Sequence, residues 1–542
     1  MQGFAWEKSY PAGVRADAPI AISTVPALLD EAVARFGERT AFSFRGDETS
    51  YAAFGESSDR FAGALARVGL GEGDTIALYL PNTPYHPLAF FGALKAGARI
   101  VHLSPLDAPR ELAHKLADSG ARTLVTTDVG RFVETATAFL AEGLLDRVIV
   151  GEDGAGTPVA PRAGVTTYAD FVADAPAMTA RPVADPDAIA LLQYTGGTTG
   201  MPKGAMLSHA NLTAAVSSYE AWAAGEPPDG VAKVICALPL FHIYALTTIL
   251  LRGVRRGSHL VLLMRFDPEA VLREIEIGRA SAFPGVPTMW IALVEQPGIE
   301  RRDLSSLMHC SSGGAPLPVE VAARFERLTG HRLGGGWGMT ETAPAGTQIP
   351  KHGPPKPGTI GLPLPGVELE IVALDDPTRR LPPGEIGEIR VRGRNVTRGY
   401  WNRPQENAAC FVGEFFLTGD IGFMDEDGYF FIVDRKKDMI ISGGFNVYPQ
   451  AIEQALHEHP AIAEAAVIGI PDAYRGEAAK AFVVLREGVP EFGLDELNAF
   501  LASRLGKASL PAALEIRAAL PHTPVGKLAK SVLRAEEAGA RS

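Results

Sequence analysis

Residues 194–204 read YTGGTTGMPKG and form the strongest local signal in the chain. Glycines allow backbone N–H groups to approach phosphate oxygens closely, threonine hydroxyls add hydrogen-bond donors, and the single lysine adds positive charge. The stretch therefore predicts a loop that binds a polyphosphate. The predicted phosphate-binding residues are Thr195, Gly196, Gly197, Thr198, Thr199, Gly200 and Lys203.

The same stretch departs from the P-loop of nucleotide hydrolases, which needs a glycine, four further residues and then Gly-Lys-Ser/Thr. Counted from Gly197, those last positions hold Pro202, Lys203 and Gly204, so the pattern fails twice. A Walker-type ATPase is therefore disfavoured. A flexible surface loop is the simplest alternative, but such a loop would need neither the lysine nor the hydroxyls.

Outward from this loop, short runs rich in Val, Ile and Leu alternate with helical patterns. Strands are predicted at 75–80, 100–103 and 124–127, with a helix through 111–116 between the last two. This β-α-β order is typical of parallel sheets with helices on both faces. An α/β fold is expected for the N-terminal part.

The pattern changes after residue 360, where short strands alternate with glycine and proline turns. Strands are predicted at 367–372, 387–391 and 428–433, which indicates a compact β-rich subdomain. The dense charged run at 434–438 then separates two apolar stretches, and about 100 residues typical of a small α/β unit follow. The domain boundary is therefore predicted after residue 434.

Length and charge limit the class of protein. A chain of 542 residues, of which 46% are hydrophobic, is too long for one ordinary core, so two or more packed units are expected. The 51 Lys plus Arg and 63 Asp plus Glu give a formal charge of −12 without long blocks of one sign. This distribution disfavours nucleic acid as a partner and is typical of a cytosolic protein surface.

Cysteine spacing and the chain ends agree with a cytoplasmic location. Cys236, Cys310 and Cys410 are far apart and show no metal-ligand spacing, so we expect reduced, mostly buried thiols. Residues 1–20 carry charges where a signal peptide needs an apolar run, and the last residues show no sorting tag.

The run 234–251 is nearly all apolar and could indicate a membrane segment. It contains Pro239 and His242, however, so a buried strand, a turn and a helix are the preferred prediction. Peripheral membrane contact through this surface is kept as a weaker hypothesis.

Beyond the phosphate loop, which continues through Ser208-His209, further motifs follow along nearly the whole chain. These motifs are PLFHIY at 239–244, GGWGMTET at 335–342, TGD at 418–420, DRKKD at 434–438, GFNVYP at 444–449 and TPVGK at 523–527. In content and order they resemble the adenylate-forming superfamily of acyl-CoA synthetases, luciferases and peptide-synthetase adenylation domains. The resemblance implies a large AMP-binding domain at 1–434, a hinge at 435–437 and a small mobile C-terminal α+β lid domain at 438–542.

The implied reaction has two steps. A carboxylate is a poor acyl donor, so it first attacks the α-phosphate of ATP, expels pyrophosphate and forms an acyl-adenylate. Two anions must meet in this step, which requires Mg²⁺ on the phosphates and a lysine between the reacting groups. Coenzyme A then takes the acyl group and AMP leaves.

The resemblance assigns the charged residues of the first step. Glu341 is implied as the magnesium ligand, Thr340 as a phosphate donor and Lys527 as a catalytic lysine that reaches in from the small domain. Thr199 belongs to the same catalytic set. Without the family context, Glu341 next to Thr342 would fit an ordinary helix start.

The nucleotide contacts are implied in the same way. Asp420 is expected to accept hydrogen bonds from the ribose hydroxyls, and Arg435 to contact ribose or phosphate. Trp337 departs from the family, where tyrosine is common, but it still offers a face for adenine. The other implied contacts near the adenine are Gly313, Gly314, Ala315, Gly338 and Met339.

The second step needs the same site to admit a thiol. Relatives rotate the small domain about a hinge that corresponds here to Lys437, where a charged side chain stays solvated in both orientations. Gly444 matches the glycine that lines the pantetheine tunnel, in which a side chain would obstruct the channel.

The motif around His242 resembles that of bacterial long-chain fatty acyl-CoA synthetases, and His242 is expected to gate the acid pocket. A medium- or long-chain fatty acid is therefore the favoured substrate. An aryl acid or a pimelate-like dicarboxylate stays open, because pocket depth depends on tertiary contacts. An amino acid is disfavoured, since no Asp can be matched to the amine-binding position.

Two further alternatives concern the whole protein. One is an adenylating enzyme that loads a carrier protein in place of coenzyme A. Another is a nucleotide-binding regulatory relative without turnover, against which Lys203, Glu341, Asp420 and Lys527 argue. The oligomeric state is left open, with a homodimer as one expectation.

Overall fold

A computed structural model describes residues 4–154, 159–160, 162–178, 185–195, 201–223, 229–315, 317, 319–351, 356–443, 445–522 and 528–540. Of the predicted site residues, Gly196, Gly197, Thr198, Thr199, Gly200, Gly444 and Lys527 lie outside these described residues.

The strands, in chain order, are β1 Thr40–Phe44, β2 Asp47–Ser50, β3 Thr75–Leu78, β4 Arg99–His102, β5 Thr123–Thr127, β6 Arg147–Gly151, β7 Val165–Thr167, β8 Ile189–Thr195, β9 Lys203–Ser208, β10 Lys233–Cys236, β11 His259–Leu262, β12 Ala282–Gly285, β13 His309–Ser312, β14 Gly334–Gly335, β15 Thr347–Gln348, β16 Thr359–Pro363, β17 Val367–Val372, β18 Gly387–Gly393, β19 Phe411–Val412, β20 Phe415–Met424, β21 Phe430–Arg435, β22 Ile440–Ser442, β23 Phe445–Val447, β24 Ile462–Asp472, β25 Gly476–Leu485 and β26 Ala513–Ile516.

The α-helices, in chain order, are α1 Val25–Phe36, α2 Tyr51–Arg67, α3 Tyr85–Lys95, α4 Pro109–Ser119, α5 Phe132–Ala141, α6 Tyr168–Val172, α7 His209–Trp222, α8 Ile243–Ala245, α9 Arg252–Arg256, α10 Pro268–Glu276, α11 Pro287–Val294, α12 Val319–Thr329, α13 Pro404–Cys410, α14 Pro449–His457, α15 Leu494–Leu501 and α16 Lys530–Ala540.

Two sheets of mainly parallel strands make up most of the N-terminal part. In one sheet the strand order is β7, β6, β5, β3, β4, β8 and β9, and only the β8–β9 pair is antiparallel among its described strands. In the other sheet the order is β14, β13, β12, β10, β11, β1 and β2, with a single antiparallel pair, β1–β2, in the part that is described. The predicted α/β class is confirmed.

The composition of the inner strands explains this arrangement. Strands covered on both faces read as continuous apolar runs, and every residue of β3 and of β5 is buried. The core beside them includes Leu124, Val148 and Leu192, all with no exposed surface. Burial of apolar area at about 25 cal/mol per Å² is the main force that holds such a sheet to its helices.

A β-rich region follows, as predicted. Its strand β15 pairs antiparallel with β16, and β20 pairs antiparallel with β21 so that Asp420 lies opposite Arg435. By packing, the chain divides into two units: one extends to residue 368 and includes residues 391–416, and the other holds residues 369–390 and those from 417 onward. The boundary predicted at 435–437 stays a prediction about the hinge.

The C-terminal part contains the order β23, β22, β25 and β24, with antiparallel pairing, and β26 joins β25 in parallel. Its own core includes Ile452, Val467 and Leu497, none of which has exposed surface. This small α+β unit agrees with the expected fold class.

Most predicted elements are observed, with shifts of up to three residues at their ends. The strand predicted at 75–80 ends at Leu78, and the one predicted at 428–433 occupies Phe430–Arg435. The apolar run 234–251 forms β10, a turn, α8 and a π-helix at Leu246–Leu251. None of the helices in the described parts of the chain has the length and apolar character that a bilayer crossing requires.

The cysteines are free thiols, as predicted. Cys236 and Cys310 are buried and Cys410 is half-buried. Burial raises the pKa of the Cys310 thiol to about 12 and that of the Cys410 thiol to about 11, so these two side chains stay protonated at neutral pH.

Candidate active site

The base of the predicted phosphate loop is a hairpin at the edge of a sheet. β8 ends at Thr195 and β9 begins at Lys203, and the antiparallel register places these two residues opposite each other. Directly opposite residues in such a pair have Cβ atoms about 5 Å apart. The structure therefore brings together the hydroxyl-bearing and the cationic residue that flank the predicted phosphate site.

Lys203 already has an acidic neighbour. Its Nζ lies 3.4 Å from Oε1 of Glu406 and 5.7 Å from the ring centre of Tyr400. The side chains of Lys203 and Glu406 keep 40% and 38% of their surface exposed, so the ion pair contributes little stability. A polyphosphate that carries several charges can compete with Glu406 for this lysine.

Three predicted segments follow the carboxyl ends of parallel strands in one sheet. His242 comes after β10, the segment 313–315 directly follows β13, and the segment 336–341 directly follows β14. Ligands of open α/β sheets bind at this edge, because the loops after neighbouring parallel strands lie side by side there. The sheet thus gathers residues that are up to about 100 positions apart in the chain.

The segment after β13 approaches other groups closely. A Cβ added to Gly313 would come within 2.9 Å of the Tyr244 ring, and Gly314 has φ +83°, a backbone conformation that favours glycine. Gly314 and Ala315 are exposed. The buried hydroxyl of Ser312, just before them, has no hydrogen-bond partner within the described residues.

The segment after β14 is tightly packed. A Cβ added to Gly338 would lie 1.4 Å from the carbonyl oxygen of Pro344, so this position requires glycine. The Trp337 ring packs so closely on Gly346 that a Cβ there would come within 2.4 Å of it, and only 8% of Trp337 is exposed. Little ring surface is left for adenine, and the stacking role of Trp337 stays a prediction. Met339 is half-buried.

Glu341 is the central residue of a single 3₁₀ turn, Thr340–Thr342, and not the start of a helix. The turn is closed by Ala343, whose φ of 58° lies in the left-handed region and stops helix growth. Glu341 is only 5% exposed, and its Oε1 accepts a hydrogen bond of 2.6 Å from the Tyr400 hydroxyl. The carboxylate is therefore held in a fixed direction.

The environment of Glu341 fits a magnesium ion held by a nucleotide. Mg²⁺ prefers oxygen ligands and is usually bound by one or two carboxylates together with substrate phosphates. An ionised carboxylate has about four lone-pair sites, so the hydrogen bond from Tyr400 does not by itself prevent coordination of a cation. Across the described residues no group of three or more His, Cys, Asp or Glu side chains could hold a metal. Phosphate oxygens of a bound nucleotide would supply further ligands to such an ion.

His242 is half-buried on the loop after β10, and its Nδ1 accepts a hydrogen bond from the backbone N–H of Tyr244 at 3.2 Å. The Tyr244 hydroxyl in turn lies 3.2 Å from the Ser311 hydroxyl. These bonds connect the predicted gate residue to the end of β13, two residues before Gly313. The gating role itself stays a prediction.

A buried chain of hydrogen bonds ends at the residue before His242. The carbonyl oxygen of Phe241 can only accept a hydrogen bond, so the Gln193 side-chain nitrogen donates to it, at 3.0 Å. The Gln193 side-chain oxygen then lies 3.0 Å from His102 Nδ1. His102 Nδ1 must then donate, and His102 Nε2 accepts from Nε2 of His86 at 3.2 Å. Burial, with the nearby His242, lowers the pKa of His102 to about 4, although the bond to Gln193 opposes the change.

The predicted ribose contacts pair with each other. Arg435 Nε lies 2.6 Å from Oδ1 of Asp420, which is 1% exposed, while Arg435 is 45% exposed. Arg435 would have to share this carboxylate with a ribose, so the role of Asp420 stays a prediction. A cavity of about 370 Å³ in the same unit is lined by Thr418, Gly419, Arg435, Lys436 and Lys437.

Lys437, the predicted hinge residue, is exposed directly after β21. Partial desolvation, followed by the positive charge of Arg435, lowers the pKa of its ammonium group. The catalytic role predicted for Lys527 and the tunnel role predicted for Gly444 concern residues outside the described set, and both stay predictions.

Three residues that contact the site were not predicted from the sequence. Tyr400 contacts Glu341, Gln193 supports the carbonyl of Phe241, and Ser312 is a buried hydroxyl next to Gly313. Tyr400 lies in the run RGYWNRP at 398–404, where two aromatic residues stand between a glycine and a proline. That run was a detectable signal, but its partner is about 60 residues away in the chain and only the fold identifies it.

Comparisons with known proteins agree with this geometry. A family model described as AMP-binding enzyme matches residues 29–401, and one described as AMP-binding enzyme C-terminal domain matches residues 451–527. The long-chain-fatty-acid–CoA ligase of Bacillus subtilis (strain 168) is 37% identical over 552 residues, with 98% of each chain covered. A feruloyl-CoA synthase from Amycolatopsis sp is 38% identical over 499 residues, which cover 91% of this chain and 95% of that protein.

A solved structure of ATP-bound MatB from Rhodopseudomonas palustris superposes with a TM-score of 0.85 at 30% identity, and covers 96% of this chain and 100% of that one. These matches extend over both predicted domains, and they include the phosphate-loop hairpin and the Glu341 turn. The chain therefore belongs to the AMP-binding enzyme family, as an AMP-forming acyl-CoA ligase of the adenylate-forming superfamily that uses ATP and coenzyme A.

Proposed function

We propose that this acyl-CoA ligase activates a medium- or long-chain fatty acid, with Mg²⁺ held at Glu341. The observation that carries the substrate proposal is the similarity, over 98% of both chains, to a long-chain-fatty-acid–CoA ligase. The gate motif agrees with it, because the buried side chains of Leu240, Ile243 and Leu246 make the protein around His242 apolar. An alkyl chain gains free energy from such surroundings at about 0.8 kcal/mol per buried methylene.

In the adenylation step, the chain must neutralise an anion that attacks another anion. Lys203 and Thr195 flank the phosphates, Thr340 donates to phosphate, and Glu341 is the residue that would hold Mg²⁺. Lys527 neutralises the carboxylate and the α-phosphate as the bond between the carboxylate oxygen and the α-phosphorus forms and the bond from that phosphorus to the leaving pyrophosphate breaks. Magnesium, when bound, supplies charge neutralisation on the phosphates.

In the thioester step, the C-terminal lid turns about Lys437 and coenzyme A approaches past Gly444. Lys527 leaves the acyl carbonyl, so the thiol sulfur can attack the same carbon from which AMP departs. A cytoplasmic location and a homodimeric state stay predictions from the sequence.

A second candidate substrate class is a hydroxylated aromatic acid. It is favoured by the similarity to a feruloyl-CoA synthase, which is 38% identical over 499 residues. The unpartnered Ser312 hydroxyl beside Gly313 would suit a polar ring substituent better than a methylene chain, because a buried hydroxyl gains a hydrogen bond.

The test is an AMP-release assay with and without coenzyme A, across fatty acids from about C2 to C18 and ferulate. We expect AMP, pyrophosphate and acyl-CoA, with kcat/KM for chains above about C8 exceeding that for ferulate by at least tenfold. Lys527→Ala is expected to lower the rate of adenylation about 100-fold or more. A preference for ferulate would replace the first substrate proposal with the second, and unchanged pyrophosphate exchange in Lys527→Ala would overturn the assigned mechanism.

A further inference from the structure

A short segment binds the phosphate-loop hairpin to the Glu341 turn. This segment, residues 395–401, is called the strap here. Its Gly399 and Trp401 exchange backbone hydrogen bonds with β9: the N–H of Met206 donates to Gly399 at 2.9 Å and that of Trp401 to Gly204 at 2.8 Å. The strap therefore extends the hairpin that begins with Lys203.

On its other side the strap bonds to the turn that holds Glu341. The backbone N–H of Thr397 donates to the Glu341 carbonyl at 2.7 Å, and the Asn395 amide nitrogen donates to the carbonyls of Thr342 and Ala345 at 2.8 and 2.6 Å. Asn395 is 1% exposed, so these bonds are shielded from water. The backbone of the turn cannot move without breaking them.

Tyr400 is the strap residue whose side chain reaches Glu341, and its backbone is held by hydrogen bonds to the side chain of Asn407. The Tyr400 N–H donates to the Asn407 side-chain oxygen at 2.7 Å, and the Asn407 nitrogen donates back to the Tyr400 carbonyl at 2.9 Å. These two hydrogen bonds fix the backbone of Tyr400, and so the position from which its side chain extends. Groups that position a metal-binding side chain are commonly held in this way themselves.

The Tyr400 hydroxyl is well placed to orient a ligand. It donates to Oε1 of Glu341 at 2.6 Å, in the range of a strong hydrogen bond to a carboxylate. The ring also lies 5.7 Å from the ammonium nitrogen of Lys203, within reach of a cation–π contact. One side chain thus contacts both the predicted metal ligand and the predicted phosphate-binding cation.

We propose that Tyr400 is a positioning residue that orients Glu341 toward nucleotide-bound Mg²⁺ through the hydrogen bond of its hydroxyl. This inference rests on the proposed role of Glu341 as the magnesium ligand. Loss of the hydroxyl removes one contact that orients the carboxylate, so metal affinity falls while binding of the phosphates by the predicted loop persists. Outer-shell changes of this kind cost about 10- to 100-fold in metal affinity.

The test uses Tyr400→Phe, which keeps the ring and removes the hydroxyl. ATP binding is measured by calorimetry on the metal-stripped protein and again over a series of Mg²⁺ concentrations. We expect the Mg²⁺ concentration for half-maximal enhancement of ATP binding to rise about tenfold, with the affinity for ATP alone unchanged. Tyr474→Phe is the matched control, because Tyr474 is 96% exposed, and it should behave as wild type.

Two companion variants separate the possible outcomes. Glu341→Gln should abolish the Mg²⁺ enhancement. If it does so while Tyr400→Phe resembles wild type, the role of Tyr400 is wrong and that of Glu341 stands. If Glu341→Gln retains the enhancement, the proposed magnesium site is itself wrong.

A loss of ATP affinity in Tyr400→Phe that is equal with and without Mg²⁺ would show a structural role only and would overturn the inference. Should Tyr400→Phe fold poorly, Asn407→Ala loosens the Tyr400 backbone and keeps the hydroxyl. We then expect a smaller shift in the Mg²⁺ requirement in the same direction, and its absence would count against the proposal.

Discussion

The charge of Lys203 illustrates how single side chains prepare this site for its ligand. In a loop that is predicted to bind phosphate, an unpaired lysine would repel other cations and attract any anion. Here Glu406 lies 3.4 Å from the ammonium group, and both side chains remain accessible to water. The pair is weak enough to open when a triphosphate competes for the lysine.

Removal of this competitor should strengthen nucleotide binding. We expect Glu406→Gln to tighten ATP binding about two- to fivefold, because the lysine no longer has to leave a carboxylate. The gain should shrink at high salt, which screens exposed charges. Calorimetry at about 20 and 300 mM salt measures both effects.

Glu414→Gln is the matched control, since Glu414 pairs with Arg392 at 2.8 Å and its side chain is 79% exposed. It should leave ATP binding unchanged. Weaker ATP binding in Glu406→Gln would mean that Glu406 supports Lys203 and does not compete for it.

At the scale of elements, buried histidines join a helix to the sheet beneath it. His86 lies on α3 and His102 on β4, and Gln193 on β8 carries the hydrogen bonds on to the loop before His242. Burial, followed by the charge of His102, lowers the pKa of His86 well below its ordinary value. Burial also lowers the pKa of His209, at the start of α7, to about 4.

These shifts predict a loss of stability in mild acid. The folded-state pKa values lie below the ordinary 6.5, so above pH 6.5 the histidines are neutral in both states and contribute no pH dependence. As the pH falls from 6.5 to about 4, these histidines bind protons in the unfolded chain but stay neutral in the folded chain. The free energy of unfolding therefore decreases. For His102 alone the loss is on the order of 3 kcal/mol.

The urea midpoint of unfolding at pH 7.5, 5.5 and 4.5 measures this loss. We expect His102→Gln, which does not titrate in this range, to flatten the pH dependence, whereas substitution of exposed His331 by Gln should leave it as in wild type. An identical slope in His102→Gln and wild type would show that other groups dominate acid unfolding.

At the scale of the whole molecule, the same site is proposed to serve two successive steps, adenylation of the acid and transfer of the acyl group to coenzyme A. The chain forms two packed units, and the exposed Lys437 lies in the second of them, directly after β21. We propose Lys437 as the pivot between the adenylation and thioester steps. A pivot residue must change its backbone angles, and a proline at that position would fix φ at about −65°.

Lys437→Pro should therefore separate the two steps. We expect acyl-AMP formation within about threefold of wild type and a coenzyme A-dependent step at least about tenfold slower, measured by rapid quench. Lys437→Ala is the control and should leave both rates nearly unchanged, because alanine permits the rotation. Equal slowing of both steps by the proline would contradict the pivot.

The sequence by itself determined the α/β class, most strands and helices, and the order of the motifs. These features depend on local chemistry: apolar runs such as β3 form buried strands, and the glycine-rich composition of residues 196–204 predicts a loop. The resemblance to adenylate-forming enzymes rests on the same local runs. It was sufficient to predict the reaction that the family match confirms.

Only the tertiary structure decided which side chains support those motifs. Tyr400 bonds to Glu341, which is 59 residues away in the sequence, and Gln193 bonds to the Phe241 carbonyl, 48 residues away. No local sequence pattern predicts contacts between residues so far apart in the chain. It also showed that Glu341 occupies a 3₁₀ turn and that Trp337 is mostly buried. The physical reason is that hydrogen bonds and packing between distant segments form only when the sheets place strand ends side by side.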